Sequence, residues 1–267
     1  MWRSYRGRKY SAYIFSAIVR FRLTFFINEP AKMSRNVSKY NCPEKIILCI
    51  DTAVESESHV YKFKDGTSLP QKLMIERALE IFIRNKLTIN DAHEFAIVDV
   101  REDPSWIMDF SSDCKNIIRS IQKLKEWTPK EGPFDLASLL TVIRDHIELR
   151  TVGQAKIITC EWIYRIILIY CRSNNPVFID VKERVYDDLL ASPQFFLDVL
   201  FIHDPPGEKN LCLEINQSLS ELDHYNDAYI LNLVRNPEKL YNCMAMLLAH
   251  PLQRVSQSDI NFKLVKQ

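Results

Sequence analysis

The chain has 267 residues, of which 47% are hydrophobic and 26% charged, so it can bury a substantial core. Its net charge of +1 argues against nucleic-acid binding as the main task, because that task usually requires a basic face. Seven dispersed cysteines without a C-x-x-C pair indicate a reducing compartment, and neither a disulfide framework nor a zinc site. None of the five glycines lies in a Gly-rich strand-to-helix turn, which excludes the dinucleotide fingerprint and the P-loop.

Residues 1–41 form a basic leader. Six of its arginines and lysines precede the first acidic residue, Glu29, and are interleaved with aromatic and apolar residues. An organelle-targeting presequence, a membrane-surface helix and an upstream gene-model extension before Met33 all fit this composition. The apolar stretch 10–19 is too short to span a bilayer, which takes roughly 20 residues. We expect a poorly ordered leader or a gene-model extension, and no membrane partner.

From Cys42 onward, strand-like and helix-like patterns alternate along the chain. Apolar runs typical of buried strands predict strands at residues 46–50, 95–100, 165–171, 195–202 and 229–234. Residues 106–110 follow the turn signal Glu102-Asp103-Pro104 and are predicted to return antiparallel at a sheet edge.

Apolar residues at helical spacing predict helices between these strands. Ser68 and Gln71 resemble a capping box ahead of the first helix. The apolar stripe of this helix consists of Ile75, Ala78, Leu79 and Phe82. Further helices are expected around residues 117–124, 136–147, 181–190 and 211–222.

The last helix is predicted to begin at Asn236-Pro237, an N-cap residue followed by proline at the first helical position, and to end at His250-Pro251. Strands separated by helices of this length imply right-handed crossovers. We therefore predict an α/β fold with a doubly wound, mostly parallel sheet, helices on both faces and one antiparallel edge strand. The predicted domain spans residues 42–250.

In open α/β sheets, ligand sites lie beyond the carboxyl ends of the strands. Three predicted loops are expected to meet there, at residues 51–55, 128–135 and 172–175. A metal-binding von Willebrand A-type domain has Asp-x-Ser-x-Ser after its first strand. Here that stretch reads Asp51-Thr52-Ala53-Val54-Glu55, so a methyl group and a carboxylate replace the two hydroxyls.

The other two metal-binding positions are altered as well. Pro133 and Cys171-Arg172 stand where a threonine and an aspartate are expected. Mg²⁺ and Ca²⁺ need nearly complete shells of oxygen donors, and the Arg172 guanidinium would repel either ion. The carboxylates of Asp51, Glu55 and Asp135 could still recruit a weak cation. We predict no bound metal and no cofactor.

No catalytic residues are predicted either. His203 and Asp204 are adjacent on a strand and point to opposite faces, so they cannot act together on one substrate. The sequence has no G-x-S-x-G nucleophile elbow. It also lacks an H-x-H or H-E-x-x-H pair, which argues against a zinc hydrolase.

Residues 251–267 are polar and lack helical periodicity. They are either a frayed terminus or an extended peptide with a proline anchor that binds a groove on a partner. Composition alone favours the frayed terminus.

Several segments carry a resemblance to a known family: residues 42–51, 93–96, 195–199, 242–245 and, most distinctively, 247–254. They resemble the MERIT-type von Willebrand A-like subunits that the BRISC and BRCA-A deubiquitinase complexes share. The resemblance extends from about Cys42 to Asp259. Ala53 departs from the already degenerate metal motif of this family, and the tankyrase-binding motifs of its N-terminal region are not visible in residues 1–41.

The resemblance implies a non-catalytic adaptor of the cytoplasm and nucleus that binds the BRE subunit, which has ubiquitin-conjugase-like (UEV) folds. An Abraxas-type scaffold and a JAMM zinc protease that cleaves lysine-sixty-three-linked ubiquitin chains complete the implied assembly. Matching residues in the C-terminal segment become candidates for partner binding: Pro251, Leu252, Gln253 and Arg254. The alternative function is a metal-dependent ligand-binding domain of integrin-insert type.

Overall fold

The computed structural model describes residues 42–55, 60–148, 161–178, 189, 192, 194–223 and 227–257. The predicted leader and residues 258–267 lie outside this part of the chain. The helix predicted at residues 181–190 also lies outside it, apart from Leu189, which is helical.

The described residues form a six-stranded central sheet flanked by helices. The strands in chain order are β1 Glu44–Ile50, β2 Val60–Lys62, β3 Ser68–Pro70, β4 Glu94–Asp99, β5 Ser105–Ser111, β6 Phe134–Asp135, β7 Ile163–Tyr170, β8 Val177–Phe178, β9 Phe195–His203 and β10 Ile230–Val234. The helices are α1 Gln71–Ile89, α2 Cys114–Lys123, α3 Leu136–Arg144, α4 Cys212–Ser220 and α5 Pro237–Met246.

The spatial order of the central sheet is β10-β9-β7-β1-β4-β5. Neighbouring strands run parallel except for β5, which pairs antiparallel with β4 at one edge. Two short two-stranded pairs, β2 with β3 and β6 with β8, lie outside this sheet. The predicted doubly wound von Willebrand A-like fold is confirmed, including its antiparallel edge strand.

Helices cover both faces of the sheet because the buried strands are apolar on both sides. In β1, Ile46 and Leu48 face the core shared with α1, α2 and α5, whereas Ile47 and Cys49 face the core shared with α3 and α4. Burying each such aliphatic side chain contributes roughly 1.5–3 kcal/mol. Within the described ranges, no helix has both the length and the apolar character that crossing a membrane requires.

The predicted capping box of the first helix is wrong. Ser68 belongs to β3, and Pro70 occupies the N-cap position without a side-chain hydrogen bond. The side chain of Gln71 is used elsewhere: its Nε2 donates to Ala53 O at 3.4 Å and its Oε1 accepts from Arg235 Nε at 2.6 Å. A short hairpin therefore leads into α1 in place of a capping motif.

The predicted start of the last helix is confirmed, since Asn236 Oδ1 accepts from Lys239 N at 2.9 Å. The helix ends at Met246, before the predicted His250-Pro251. The next carbonyls turn towards buried cations. Leu248 O accepts from Lys86 Nζ at 3.4 Å, and Ala249 O accepts from Arg165 Nη1 at 3.1 Å.

Candidate functional site

Asp51 follows β1 at the carboxyl end of the sheet and is fully buried. Its Oδ2 accepts from Arg172 Nε at 3.0 Å and from Cys171 N at 3.2 Å, and its Oδ1 accepts from Ala53 N at 3.0 Å. Burial raises the pKa of Asp51, and the guanidinium of Arg172 and the two amides act against that shift. Both carboxylate oxygens are therefore engaged by donors of the protein itself.

Arg172 lies in an aromatic enclosure, with only 2% of its side chain exposed. Its Cζ is 4.9 Å from the ring centroid of Trp127, 4.7 Å from that of Phe134 and 5.4 Å from that of Tyr170. A guanidinium at these distances is attracted by the ring faces. Asp51 is thus paired with a fixed cation of the chain itself.

The three predicted loops do meet at this end of the sheet. Glu55 accepts from Ser173 N at 2.6 Å and from Asn174 N at 2.9 Å, which joins the first loop to the third. Asn175 Nδ2 donates to Lys130 O at 2.7 Å and to Gly132 O at 2.8 Å, which joins the third loop to the second.

These loops do not fit a divalent cation. Asp135 caps α3 by accepting from Ala137 N at 3.0 Å, and Asp51 and Glu55 have the partners already described. The guanidinium of Arg172 approaches the same carboxylate that a cation would need. Among the residues that the structure describes, no three His, Cys, Asp or Glu side chains form a group that could hold a metal ion.

His203 and Asp204 are engaged separately. Nδ1 of His203 lies 2.6 Å from the backbone oxygen of Asp204, and its ring stacks on Phe201 with centroids 4.6 Å apart. The carboxylate of Asp204 forms an ion pair with Arg235. Burial lowers the pKa of His203. These contacts hold the loop and leave no arrangement of an acid facing a base.

The amino end of the sheet contains a buried ionic network that the sequence analysis missed. Glu44 forms an ion pair with Lys86 of α1, and its Oε2 accepts from Arg165 Nη1 at 3.0 Å. Arg165 Nε in turn donates to Asp198 Oδ2 at 2.7 Å. All four side chains are at most 1% exposed. Their signal in the sequence is a charged residue inside an apolar run, as at Arg165 and Asp198.

Arg254 extends this network into the C-terminal segment. Its Nη1 and Nη2 donate to the two oxygens of Asp198 at 2.8 and 2.6 Å, and its Nη2 also donates to Asp227 O at 2.5 Å. The Cζ atom lies 4.0 Å from the ring centroid of Tyr229. Only 2% of the Arg254 side chain is exposed, so this arginine is bound within its own domain.

The network is charged at neutral pH. Burial opposes ionisation of Glu44, but Lys86 and Arg165 outweigh burial and hold the pKa of Glu44 at about 2. Burial lowers the pKa of Lys86 to about 8, and Glu44 acts against that shift, so the ammonium stays protonated at neutral pH. Burial lowers the pKa of His93 to about 4, which leaves its Nδ1 free to accept from Glu44 N at 2.8 Å.

Asp198 is ionised for a related reason. Burial opposes its ionisation, but Arg165 and Arg254 hold the pKa of Asp198 below its ordinary value. The network thus places the cations of Lys86, Arg165 and Arg254 around two carboxylates. Backbone carbonyls of residues 227, 248 and 249 accept further hydrogen bonds from these cations.

Residues 250–257, hereafter the C-terminal turn, fold back onto the amino end of the sheet. Gln253 N and Arg254 N donate to His250 O at 2.9 and 3.0 Å, and Tyr229 Oη donates to Val255 O at 2.9 Å. The described part of the predicted extended segment is therefore a compact turn. It folds in this way because Arg254 finds a buried carboxylate in its own domain.

The four predicted partner-binding residues differ in accessibility. Pro251 is buried, and the side chain of Arg254 is enclosed in the ionic network. Leu252 is half-buried against Cys42, Ile163 and Phe196. Gln253 is exposed.

Val255, which the sequence analysis did not single out, is 45% exposed. Among the described residues of the C-terminal turn, the exposed ones are therefore Gln253 and Val255.

The fold defines a von Willebrand A-like domain, and at the carboxyl end of its sheet Arg172 pairs with Asp51. Two solved structures share the fold. They are proximal thread matrix protein 1 from the mussel byssus (TM-score 0.52, 10% identity, 78% of this chain and 47% of that chain) and the PilB minor pilin from Streptococcus sanguinis (TM-score 0.50, 12% identity, 78% and 60%). At these identities, the likeness concerns the fold alone.

Curated relatives identify the family. The chain is 31% identical over 232 residues to BRISC and BRCA1-A complex member 1 of Xenopus laevis, covering 86% of this chain and 70% of the relative. It is 30% identical over 234 residues to the protein of the same name from Homo sapiens, with coverages of 86% and 70%. No protein-family model matches the chain. The chain belongs to the BRISC and BRCA1-A complex member 1 family.

Proposed function

We propose that this protein is a non-catalytic scaffold subunit of a BRISC-type complex that cleaves lysine-sixty-three-linked ubiquitin chains. In this proposal it binds and stabilises the BRE subunit, and an Abraxas-type scaffold and a JAMM zinc deubiquitinase belong to the same assembly. The observation that carries the proposal is the similarity, over 86% of the chain, to proteins named as members of the BRISC and BRCA1-A complexes. We place its action in the cytoplasm and nucleus.

The two polar ends of the sheet support a role without catalysis. A catalytic acid or base needs access to substrate and a proton it can transfer. Asp51, Glu44 and Asp198 are fully buried and bonded to arginine or lysine side chains. Their chemistry is used to hold loops and helices in place, which suits a subunit that acts through its surface.

The C-terminal turn is our candidate for the contact with BRE. Its accessible residues are half-buried Leu252 and exposed Gln253, flanked by Val255. Pro251 and Arg254 match the family resemblance but serve the fold. Replacing these two residues would mix loss of contact with loss of structure, so they are poor probes of the interface.

The test is co-purification of the BRE subunit with full-length variants. We expect the double variant Gln253→Ala/Val255→Asp, which changes two exposed positions, to lose at least about tenfold in affinity, the usual effect of removing a central contact, while its thermal unfolding stays close to wild type. Leu213→Asp is the matched control, because Leu213 is an aliphatic residue on α4 that is 74% exposed. Undiminished capture of BRE by the double variant would remove the turn from the interface.

The competing function, a metal-dependent ligand-binding domain of integrin-insert type, makes a different prediction. A ligand that binds only the folded state raises its stability by RT ln(1 + [L]/Kd). Because Arg172 engages Asp51, we expect millimolar Mg²⁺ or Mn²⁺ to leave the melting temperature unchanged. A cation-induced rise that disappears in Asp51→Ala would favour the competing function.

A further inference from the structure

The C-terminal turn is tied to the domain at several separate points. Arg254 reaches both oxygens of Asp198, and Tyr229 Oη donates to the carbonyl of Val255 at 2.9 Å. The side chain of Gln257 accepts from Ile230 N at 2.6 Å and donates to Ile230 O at 2.9 Å. These bonds fix the backbone on both sides of residues 252 and 253.

The attachment continues into the residues that precede the turn. The carbonyls of Leu248 and Ala249 accept from Lys86 and Arg165, which are members of the same buried network. Leu252 N donates to His250 Nδ1 at 3.1 Å, so the side chain of His250 supports the turn from inside. The segment is therefore held from its first carbonyl to Gln257, and its accessible side chains project from a fixed backbone.

We infer that Asp198 and Arg254 act as a clamp that presents the C-terminal turn in one conformation, and that Leu252, Gln253 and Val255 contact the partner. Arg254 is then a positioning residue, because its guanidinium donates to Asp198 and to the carbonyl of Asp227 and lies against the ring of Tyr229. This inference rests on the proposed function, since it takes the turn to be the binding element.

The chemistry of the presented residues defines what the partner must offer. Leu252 and Val255 are aliphatic, and Gln253 is an exposed residue with a side-chain amide. A shallow apolar pocket beside polar backbone groups would match this set. Because the turn is already ordered, binding does not lose the conformational entropy that ordering a free tail would cost.

The test separates clamp residues from contact residues in the full-length protein. Arg254→Met removes the guanidinium but keeps an unbranched apolar side chain beside Tyr229, while Asp198 retains Arg165 as its partner. We expect this variant to fold, to exchange the amide hydrogens of residues 252–257 at least about tenfold faster, and to bind the purified BRE subunit at least about tenfold more weakly. Val255→Asp, at a side chain that is 45% exposed, should weaken binding to a similar degree with amide exchange unchanged.

Milder variants guard against loss of the fold. Arg254→Lys keeps the charge but cannot bond both oxygens of Asp198 in the same way. Its rate of amide exchange at residues 252–257 and its affinity for BRE should therefore fall between those of wild type and Arg254→Met. Tyr229→Phe removes only the bond to Val255 O and should speed exchange near residue 255. If Arg254→Met does not fold, these two variants decide the question by the same readouts.

The outcomes distinguish the inference from the proposed function. Faster exchange in Arg254→Met with unchanged BRE affinity in all variants would leave the clamp standing and overturn the turn as the binding element. Weaker binding in Val255→Asp with wild-type exchange in Arg254→Met would support the binding element and overturn the clamp. Weaker binding of Arg254→Met without faster exchange would mean that Arg254 contacts the partner directly, which contradicts the inference.

Discussion

Charged side chains are buried at both ends of the sheet, but their ionic contacts are arranged differently. At the carboxyl end, Asp51 and Arg172 form one ion pair enclosed by aromatic rings and joined to backbone amides. At the amino end, Glu44 and Asp198 connect Lys86, Arg165 and Arg254 across strands, helix α1 and the C-terminal turn. The first arrangement joins one pair of oppositely charged side chains, whereas the second joins five charged side chains from strands, a helix and the C-terminal turn.

The two arrangements should respond differently when their charged side chains are removed. A buried ion pair rarely adds stability over well-packed apolar residues, but breaking one is costly because a lone charge stays buried. The carboxyl end can therefore be simplified by removing both partners. The amino end cannot, because each carboxylate has more than one cationic partner and each cation also supports a backbone carbonyl.

The largest effect is expected from Asp198→Ala. This change leaves Arg165 and Arg254 without a shared carboxylate and should reduce the free energy of unfolding by about 4 kcal/mol or more, as for other broken buried pairs. Urea unfolding measures the loss, and Asp145→Ala is the control because the Asp145 side chain is 59% exposed. A loss near that of the control would mean that the amino-end network contributes little.

A somewhat smaller loss is expected from Asp51→Ala, about 3 kcal/mol, because the aromatic rings still attract the abandoned guanidinium of Arg172. The double variant Asp51→Ala/Arg172→Met should recover most of that loss, since no buried charge remains. The matched double variant Asp198→Ala/Arg254→Met should recover less, because Arg165 stays unpaired with respect to Asp198. Equal recovery at both ends would contradict the comparison.

The pH dependence of stability should report on Glu44. Its folded-state pKa of about 2 lies below its ordinary value of 4.5, so the contribution is complete above about pH 4.5 and is lost as the pH falls towards 2. The shift corresponds to roughly 3 kcal/mol, before any opposing contribution from other groups. The free energy of unfolding, measured with urea between these pH values, should change more steeply with pH for wild type than for Glu44→Gln. Parallel curves would contradict the assignment.

The smallest losses in the free energy of unfolding are expected at the helix N-termini, away from the buried ionic contacts. Asn236→Ala removes the hydrogen bond to Lys239 N and should cost about 1 kcal/mol. Ser68→Ala should cost less than about 0.5 kcal/mol, because Ser68 lies in an exposed part of β3 and caps nothing. A larger loss for Ser68→Ala would restore the capping box that the structure argues against.

Local sequence patterns were sufficient to predict most of the fold. The apolar runs that predict β1, β7 and β9 reflect burial on both faces, and the turn signal before Trp106 correctly placed the antiparallel edge strand. The capping box failed because Ser68 pairs in a hairpin with Lys62, and tertiary pairing outweighs a local capping preference.

The sites depended on contacts that no local pattern encodes. The sequence predicted that the loops with Asp51 and Arg172 meet and that Arg172 opposes a cation, but the direct bond between them requires the register of β1 against β7. Glu44 and Arg165 are 121 positions apart in the chain. The family resemblance predicts Arg254 on a partner surface, and an arginine in a polar tail offers no sign of the buried Asp198 that binds it.

Gln257 bears on how this protein can associate with copies of itself. Strand β10 lies at a margin of the sheet, and the amide of Gln257 occupies both the N–H and the C=O of Ile230 there. One side chain thus imitates a rung of a neighbouring strand and denies that position to an incoming chain. For a subunit of a defined complex, this blocked edge is useful, because strand pairing between copies of the chain would compete with assembly into the complex.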